Sequence, residues 1–196
     1  RFLAGLCDKR HIKKNPMRKI ERPANPDPQI PPIPIPWARA MIRAAEAAQT
    51  DQGLRDAAIM RLLLTTGARR SELTGLSIDN MDLDNGRFLV VGKRKKRRWL
   101  FLIPATRRAI ERWLRVRPHT TSRALFVSLK TNQHRRAGSP LVPEAINELL
   151  EKWKSEAGLP EGASVSPHKW RHRFGTELGR AKNQFVLQDL LGHADI

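Results

Sequence analysis

The chain has one cysteine, no tyrosine and no long apolar run. Cys7 stands alone among 196 residues, which excludes a disulfide framework and suits a reducing cytoplasm. No uninterrupted apolar stretch approaches the length that spans a bilayer, and no signal peptide is visible. We therefore expect a cytoplasmic protein.

Acidic residues are also scarce. The chain has 19 Asp and Glu residues against 37 Lys and Arg residues, which gives a formal net charge of +18 and a pI near 11.3. A folded protein with this imbalance most often binds a polyanion, and nucleic acid is the leading candidate. A solvated basic surface or a ribosome-associated protein is the alternative.

Proline is concentrated near the start of the chain. Seven prolines lie between residues 23 and 36, a density that prevents both a continuous helix and a central strand. Residues 17–36 are therefore interpreted as a semi-rigid interdomain linker, with a disordered terminus as the alternative. Because the first residue is Arg1 rather than Met, the chain is expected to be a fragment.

The remaining 160 or so residues predict a mainly α-helical fold with a small antiparallel sheet, an α+β class. Apolar spacing and helix-end signals predict helices over residues 37–48, 54–64, 105–116 and 143–157, and further helices that start near residues 68 and 167. Two apolar runs, residues 87–91 and 99–103, predict the strands of a hairpin, and residues 124–127 could form another short strand. The hairpin tip, residues 92–98, is strongly basic. It is either a solvated loop or a loop that reaches a phosphate backbone.

One stretch, Ser166-Pro167-His168-Lys169-Trp170-Arg171-His172, carries the clearest chemical signal. Ser166 can cap a helix, and Pro167 fits its first position. His168 and Arg171 are three residues apart and therefore share a helix face. An imidazole that exchanges a proton near pH 7 then lies beside a guanidinium that can bind two oxygens, which suits a phosphate undergoing substitution.

His168 and His172 also have the spacing of a zinc-protease helix. Those enzymes require glutamate at the position after the first histidine, where this chain has Lys169, a cation that would repel the metal. We therefore expect neither a metal nor another cofactor.

Four segments, taken in order, resemble the boxes of the tyrosine recombinase (phage integrase) family, the site-specific DNA recombinases. The first is Thr66-Gly67-Ala68-Arg69-Arg70-Ser71-Glu72-Leu73, and the second is Val91-Gly92-Lys93. The third is the stretch from Ser166 to His172, and the fourth is Leu190-Leu191-Gly192-His193. Any one segment alone is a weak match, but four in order over more than a hundred residues are specific.

The resemblance implies the catalytic-domain fold of that family and a catalytic set, namely Arg69, Lys93, His168, Arg171 and His193. It also implies a covalent 3′-phosphotyrosyl intermediate, so that DNA is broken and rejoined without ATP or metal. In that scheme Glu72 would hold an arginine in place. The implied partners are duplex DNA, three further copies of the protein in a synaptic tetramer, and accessory DNA-bending proteins, with the protein associated with the nucleoid.

Further basic residues are predicted to bind the DNA backbone. They lie on the hairpin and in the third box, and they are Arg94, Lys95, Lys96, Arg97, Arg98 and Lys169. The resemblance further divides the chain. Residues 1–36 would be the tail of an N-terminal DNA-clamping domain plus its linker, and residues 37–196 the catalytic domain.

One departure from the family pattern matters, because the family's nucleophile is a tyrosine shortly beyond the last histidine. The chain contains no tyrosine and stops at Ile196. We expect that the catalytic domain is truncated before that residue and that the fragment cannot cleave DNA. Two alternatives stay open, a catalytically inactive DNA-binding relative and an enzyme similar to a type IB topoisomerase.

Overall fold

The computed structural model of the chain describes residues 11–13, 31–91, 97–131 and 136–180. Contacts divide the chain into two compact units, Arg1–Ile30 and Pro31–Ile196. Within the first unit the structure describes a bend at residues 11–13. The assignment of residues 1–36 to a DNA-clamping domain and its linker stays a prediction.

The second unit contains six described α-helices. In chain order they are α1 (Ile35–Ala47), α2 (Asp51–Thr66), α3 (Arg70–Thr74), α4 (Pro104–Val116), α5 (Pro143–Glu156) and α6 (Pro167–Arg180). Each was predicted, with differences of one to three residues at most ends. The start of α1 lies inside the proline-rich segment because Pro34 and Pro36 flank its first residue, where a missing N–H costs no hydrogen bond.

Helix α2 lies at the centre of this unit and contacts α1, α4 and α6. It begins where the Thr50 side chain accepts a hydrogen bond from the Gly53 N–H at 3.0 Å. It ends at Gly67, whose φ of 57° is left-handed. Twelve of its sixteen residues are buried, including Asp56, whose carboxylate is paired with Arg55 and accepts from the Trp153 indole at 2.9 Å. This shared carboxylate fastens α2 to α5.

A three-stranded antiparallel sheet follows α3, in the order β1 (Met81–Asp82), β2 (Arg87–Val91) and β3 (Arg97–Phe101). Sequence reasoning found β2 within its observed bounds and missed the two-residue β1. The predicted hairpin tip was too long, because Arg97 and Arg98 belong to β3 and pair with Val91 and Val90. An edge strand tolerates charged side chains, so the run of cations did not show where β3 begins.

The segment after α4 forms isolated bridges rather than a full strand. Ala124 pairs with Ser77 and Val127 with Pro140. The Trp113 indole of α4 donates to the Leu125 carbonyl at 2.9 Å, which holds this segment over the core. Among the residues that the structure describes, none of the helices has the length and apolar composition needed to cross a bilayer.

Candidate active site

The site begins with the orientation of α6. The Ser166 carbonyl accepts the Lys169 N–H at 2.9 Å and the Trp170 N–H at 3.4 Å, which starts the helix. Trp170 is fully buried, and its indole donates to the Val165 carbonyl at 3.1 Å. With Trp170 fixed in the core, His168 and Arg171 both line an open cleft on the surface.

Contacts with the extended segment before α1 hold the same helix from another side. The Ile33 N–H donates to the Lys169 carbonyl at 3.3 Å, and Arg173 Nε donates to the Ile33 carbonyl at 2.7 Å. Ile33 itself is fully buried. The face of α6 that carries His168 and Arg171 is thus fixed by packing and by hydrogen bonds outside the cleft.

Arg69 stands at the turn between α2 and α3. Its backbone N–H donates to Glu72 Oε2 at 2.8 Å, which is half of a capping box and satisfies a free donor at the start of α3. Its guanidinium donates to Glu72 Oε1 at 3.0 Å. The Arg69 side chain remains 58% exposed whereas that of Glu72 is only 3% exposed, so the carboxylate is internal and the guanidinium faces the cleft.

Gly67 connects this turn to α6. The Arg171 guanidinium donates to the Gly67 carbonyl. A Cβ at Gly67 would overlap the Phe174 ring, and the left-handed φ there also disfavours other residues. Glycine is therefore required for α6 to approach closely enough to place Arg171 beside Arg69.

An arginine of the sheet binds the same carboxylate as Arg69. Arg98 of β3 donates to Glu72 Oε2 at 2.8 Å, so one buried carboxylate binds both Arg69 and Arg98. The expectation that Glu72 holds an arginine is confirmed, although it holds two. Sequence reasoning missed Arg98 as a partner because 26 residues separate it from Glu72 and it stands in a run of similar cations.

The electrostatics of the site follow from these contacts. Burial raises the pKa of Glu72, but hydrogen bonds from the Arg69 backbone and the Arg98 side chain outweigh it, so the pKa is below its ordinary value. Burial lowers the pKa of Arg171, and the charges of Arg69 and Arg98 lower it further while Glu72 opposes them. Clustered guanidinium groups that repel one another favour a bound anion.

The cleft has a volume of about 480 Å³. The structure brings three predicted catalytic residues to it: Arg69 from the α2–α3 turn, and His168 and Arg171 from α6. Lys169 is half-buried next to His168, and Arg97 is exposed on β3. The other predicted site residues lie outside the described ranges, and these are Lys93, Arg94, Lys95, Lys96 and His193.

This arrangement is suited to a tetrahedral or pentacoordinate oxyanion. Arg69 and Arg171 line one cleft from different elements, Arg70 lines it as well, and these guanidinium groups can bind several oxygens between them. The exposed imidazole of His168 beside them can accept or donate a proton.

Comparison with known proteins gives consistent results. Residues 38–196 match the sequence profile of the phage integrase family. Tyrosine recombinase XerC of Alcanivorax borkumensis is 33% identical over 200 residues, which cover 100% of this chain and 62% of that protein. Tyrosine recombinase XerD of Neisseria meningitidis serogroup B is 35% identical over 188 residues, which cover 93% and 61%.

Solved structures agree with the sequence matches. XerA recombinase superposes with a TM-score of 0.65 at 26% identity, over 84% of this chain and 56% of that one. The Tn1549 transposon integrase, solved in complex with transposon right end DNA, gives a TM-score of 0.70 at 20% identity, over 99% and 68%. At that identity the second match speaks for the fold alone.

The chain spans between 45% and 62% of the length of the curated relatives it matches. The family match nevertheless covers all six helices after the first few residues of α1 and the whole cleft. The chain belongs to the phage integrase family, and the two relatives described above are tyrosine recombinases.

Proposed function

We propose that the protein is a site-specific DNA recombinase that breaks and rejoins duplex DNA through a covalent 3′-phosphotyrosyl intermediate. The observation that carries this proposal is the convergence of Arg69, His168 and Arg171 on one cleft. Arg69 belongs to the first box, and His168 and Arg171 belong to the third box, almost one hundred residues later in the sequence. Family membership and relatives that are tyrosine recombinases support it.

The chemistry assigns a task to each group. A tyrosine oxygen forms a bond to the scissile phosphorus while the bond to the 5′ oxygen breaks, and the 3′ phosphate remains attached to the protein. Arg69 and Arg171 bind the non-bridging oxygens, whose charge grows in the transition state. His168 accepts or positions the proton of the attacking phenol.

Two roles fall on residues outside the described ranges. Lys93 would protonate the departing 5′ oxygen, and His193 would donate a hydrogen bond to the phosphate. Religation reverses these steps, with the 5′ hydroxyl as the nucleophile and the tyrosine as the leaving group. The phosphotyrosyl bond retains the energy of the broken phosphodiester, so no nucleotide cofactor is consumed.

The proposed partner is duplex DNA, bound along its phosphate backbone by Arg94, Lys95, Lys96, Arg97, Arg98 and Lys169. A net charge of +18 supports this. So do structures of the XerH recombinase bound to a difH substrate and of the Tn1549 integrase bound to transposon DNA. Exchange between two duplexes requires four active sites, so a homo-tetramer on nucleoid DNA is proposed, with accessory DNA-bending proteins.

The nucleophile decides between two functions. The 196 residues contain no tyrosine, so the proposed reaction requires a phenol from outside them. For the same reason, the second candidate is a DNA-binding relative that binds phosphate in the cleft and does not cleave it.

A nicked duplex distinguishes the two functions. The nick lets the short DNA strand leave after cleavage, so a covalent protein–DNA adduct accumulates and is seen by denaturing electrophoresis. The full-length gene product is expected to form this adduct through the 3′ phosphate of the cleaved strand. The R69A variant is expected to bind DNA without forming the adduct. A full-length product that binds the target tightly but forms no adduct would support the non-cleaving relative.

A further inference from the structure

We propose that Arg98 is a third phosphate-binding arginine of the active site, presented to the scissile phosphate by Glu72, and not one of several interchangeable backbone contacts on the hairpin. This inference rests on the proposed function. Arg98 would contact the reacting phosphate, whereas Glu72 would be a positioning residue.

The contacts of Glu72 place the two guanidinium groups side by side. Arg69 binds Oε1 at 3.0 Å and Arg98 binds Oε2 at 2.8 Å. The two nitrogens therefore lie within about 8 Å of each other, since hydrogen bonds of ordinary length join them to one carboxylate. The charge of Arg98 also lowers the pKa of Arg171, so it is felt on the α6 side of the cleft.

The exposure of each partner shows which group is free to bind a ligand. The Glu72 side chain is 3% exposed, but that of Arg98 is 42% exposed. A guanidinium has five N–H donors, and the hydrogen bond from Arg98 to Glu72 uses one nitrogen, Nη2. Arg98 does not line the cleft itself. It shares the Glu72 carboxylate with Arg69, which does line the cleft, so a phosphate bound by Arg69 would lie near the remaining donors of Arg98.

The direction of the side chain separates Arg98 from its neighbour Arg97. Successive residues of a strand point to opposite faces. Arg98 shares its face with buried Leu100, and it reaches Glu72 at the start of α3. Arg97 shares the outer face with Trp99 and Phe101, which are 40% and 52% exposed.

The positive charge around Glu72 exceeds the single negative charge of a phosphodiester, so it can stabilise the additional negative charge of a transition state. The Glu72 carboxylate and the three guanidinium groups around it, Arg69, Arg98 and Arg171, have a net formal charge of +2, and exposed Arg70, which also lines the cleft, adds a further positive charge. A phosphodiester carries one negative charge, and attack by an ionised phenol brings the transition state to about two. A third arginine that matches the added charge is expected to increase the rate of cleavage more than the affinity for DNA.

The test measures single-turnover cleavage of a nicked duplex by the full-length gene product at saturating DNA. R98A is expected to lower the cleavage rate about 100-fold with little change in DNA affinity, because one preorganised donor to the phosphate is lost. R98K, which keeps the charge but not the fork, is expected to recover part of the rate. R87A is the matched control, since Arg87 is also a sheet arginine paired with a carboxylate, Asp82, at 2.8 Å.

A substrate with a methylphosphonate at the scissile position separates phosphate binding from a structural role. It replaces a charged oxygen with a methyl group and removes one negative charge from the transition state. If Arg98 binds that charge, the ratio of wild-type to R98A rates falls from about 100 towards one on this substrate. If Arg98 only supports the fold of the hairpin, the ratio is the same on both substrates.

Three outcomes would overturn the inference. They are an R98A rate equal to wild type, an R98A defect of equal size on both substrates, and an R87A defect as large as that of R98A. Each of these leaves the recombinase proposal intact, because the wild type still forms the adduct. A wild-type protein that forms no adduct on either substrate would reject the proposed function and this inference together.

Discussion

Arg171 shows how much of the site depends on the shape of one side chain. It donates to the Gly67 carbonyl and at the same time lines the cleft. A lysine would keep the charge but could not bind two phosphate oxygens and a carbonyl together, since its donors radiate from a single nitrogen. The role proposed for Arg171 therefore depends on geometry more than on charge.

We expect R171K to retain DNA binding and to lose cleavage by about two to three orders of magnitude. Electrophoretic mobility shift measures the binding, and trapping of the adduct on a nicked duplex measures the cleavage, both with the full-length gene product. R173K is the matched control on the same helix, since Arg173 bonds the Ile33 carbonyl and Glu177 away from the cleft. Cleavage by R171K at the wild-type rate would show that the guanidinium fork is not used.

The ionisation of Glu72 makes the stability of the fold depend on pH. Its pKa in the folded chain lies below the ordinary value of 4.5. The ionised carboxylate therefore stabilises the fold fully above pH 4.5, and this contribution disappears as the pH falls through the lower, folded-state pKa.

We expect E72Q to lower the free energy of unfolding at pH 7 by about 1–3 kcal/mol, because charged hydrogen bonds at a nearly buried position are weakened. The deficit relative to wild type should shrink when the pH is brought below 4. Urea unfolding of the 196-residue chain at several pH values measures it, with E144Q as the control at an exposed glutamate. A deficit that stays constant from pH 7 to pH 3 would contradict the ionised state of Glu72.

Among the elements, the helices follow the sequence more closely than the sheet does. Apolar spacing and helix-end signals predicted the start of α5 at its observed residue, 143, and both ends of α2 within three residues, because these signals are local. The start of β3 was misplaced because the outer face of an edge strand accepts arginine, so composition carried no boundary. The Arg98–Glu72 contact could not be predicted, since it depends on how β3 packs against α3.

The alternation of side chains along β3 also predicts different roles for Arg97 and Arg98. Arg97 lies on the outer face of the strand, away from Glu72, whereas Arg98 lies on the inner face. The sequence alone predicted that both residues bind the DNA backbone. The structure gives them different neighbours, and their substitution should therefore have different effects.

We expect R97A to weaken binding to all duplexes to a similar extent and to reduce the slope of log K against log salt by about one. The physical reason is the loss of one phosphate contact without a change in base readout. Binding titrations with two unrelated duplexes over a range of salt concentrations test this, and R87A is the control on the adjacent strand. Loss of affinity for only one of the duplexes would show that Arg97 reads bases.

At the scale of the whole molecule, the packing of the fold brings together site residues that are far apart in sequence. The residues proposed to bind phosphate come from the α2–α3 turn, β3 and α6, all within the described part of the second unit. The sequence motifs predicted Arg69, His168 and Arg171 as site residues, and the fold brings these three residues to one cleft. The packing of Trp170 and the glycine at position 67 bring the two boxes together.

The 196-residue chain itself is therefore expected to bind duplex DNA and to form no covalent adduct with it. Its affinity should fall steeply with salt, since a protein with a charge of +18 displaces many counterions. No adduct should form because the chain has no tyrosine to act as the nucleophile.

The experiment compares the 196-residue chain with the full-length gene product on one nicked duplex, measuring affinity by mobility shift and adduct by denaturing electrophoresis. The control is R69A in both proteins, which removes a cleft arginine but no nucleophile. Binding without adduct in the 196-residue chain, and binding with adduct in the full-length gene product, would place the nucleophile outside these residues. An adduct formed by the 196-residue chain alone would show that another side chain attacks the phosphate and would reject the phosphotyrosyl mechanism. Affinity cannot decide this question, because the arginines are expected to bind the phosphate whether or not a nucleophile is present.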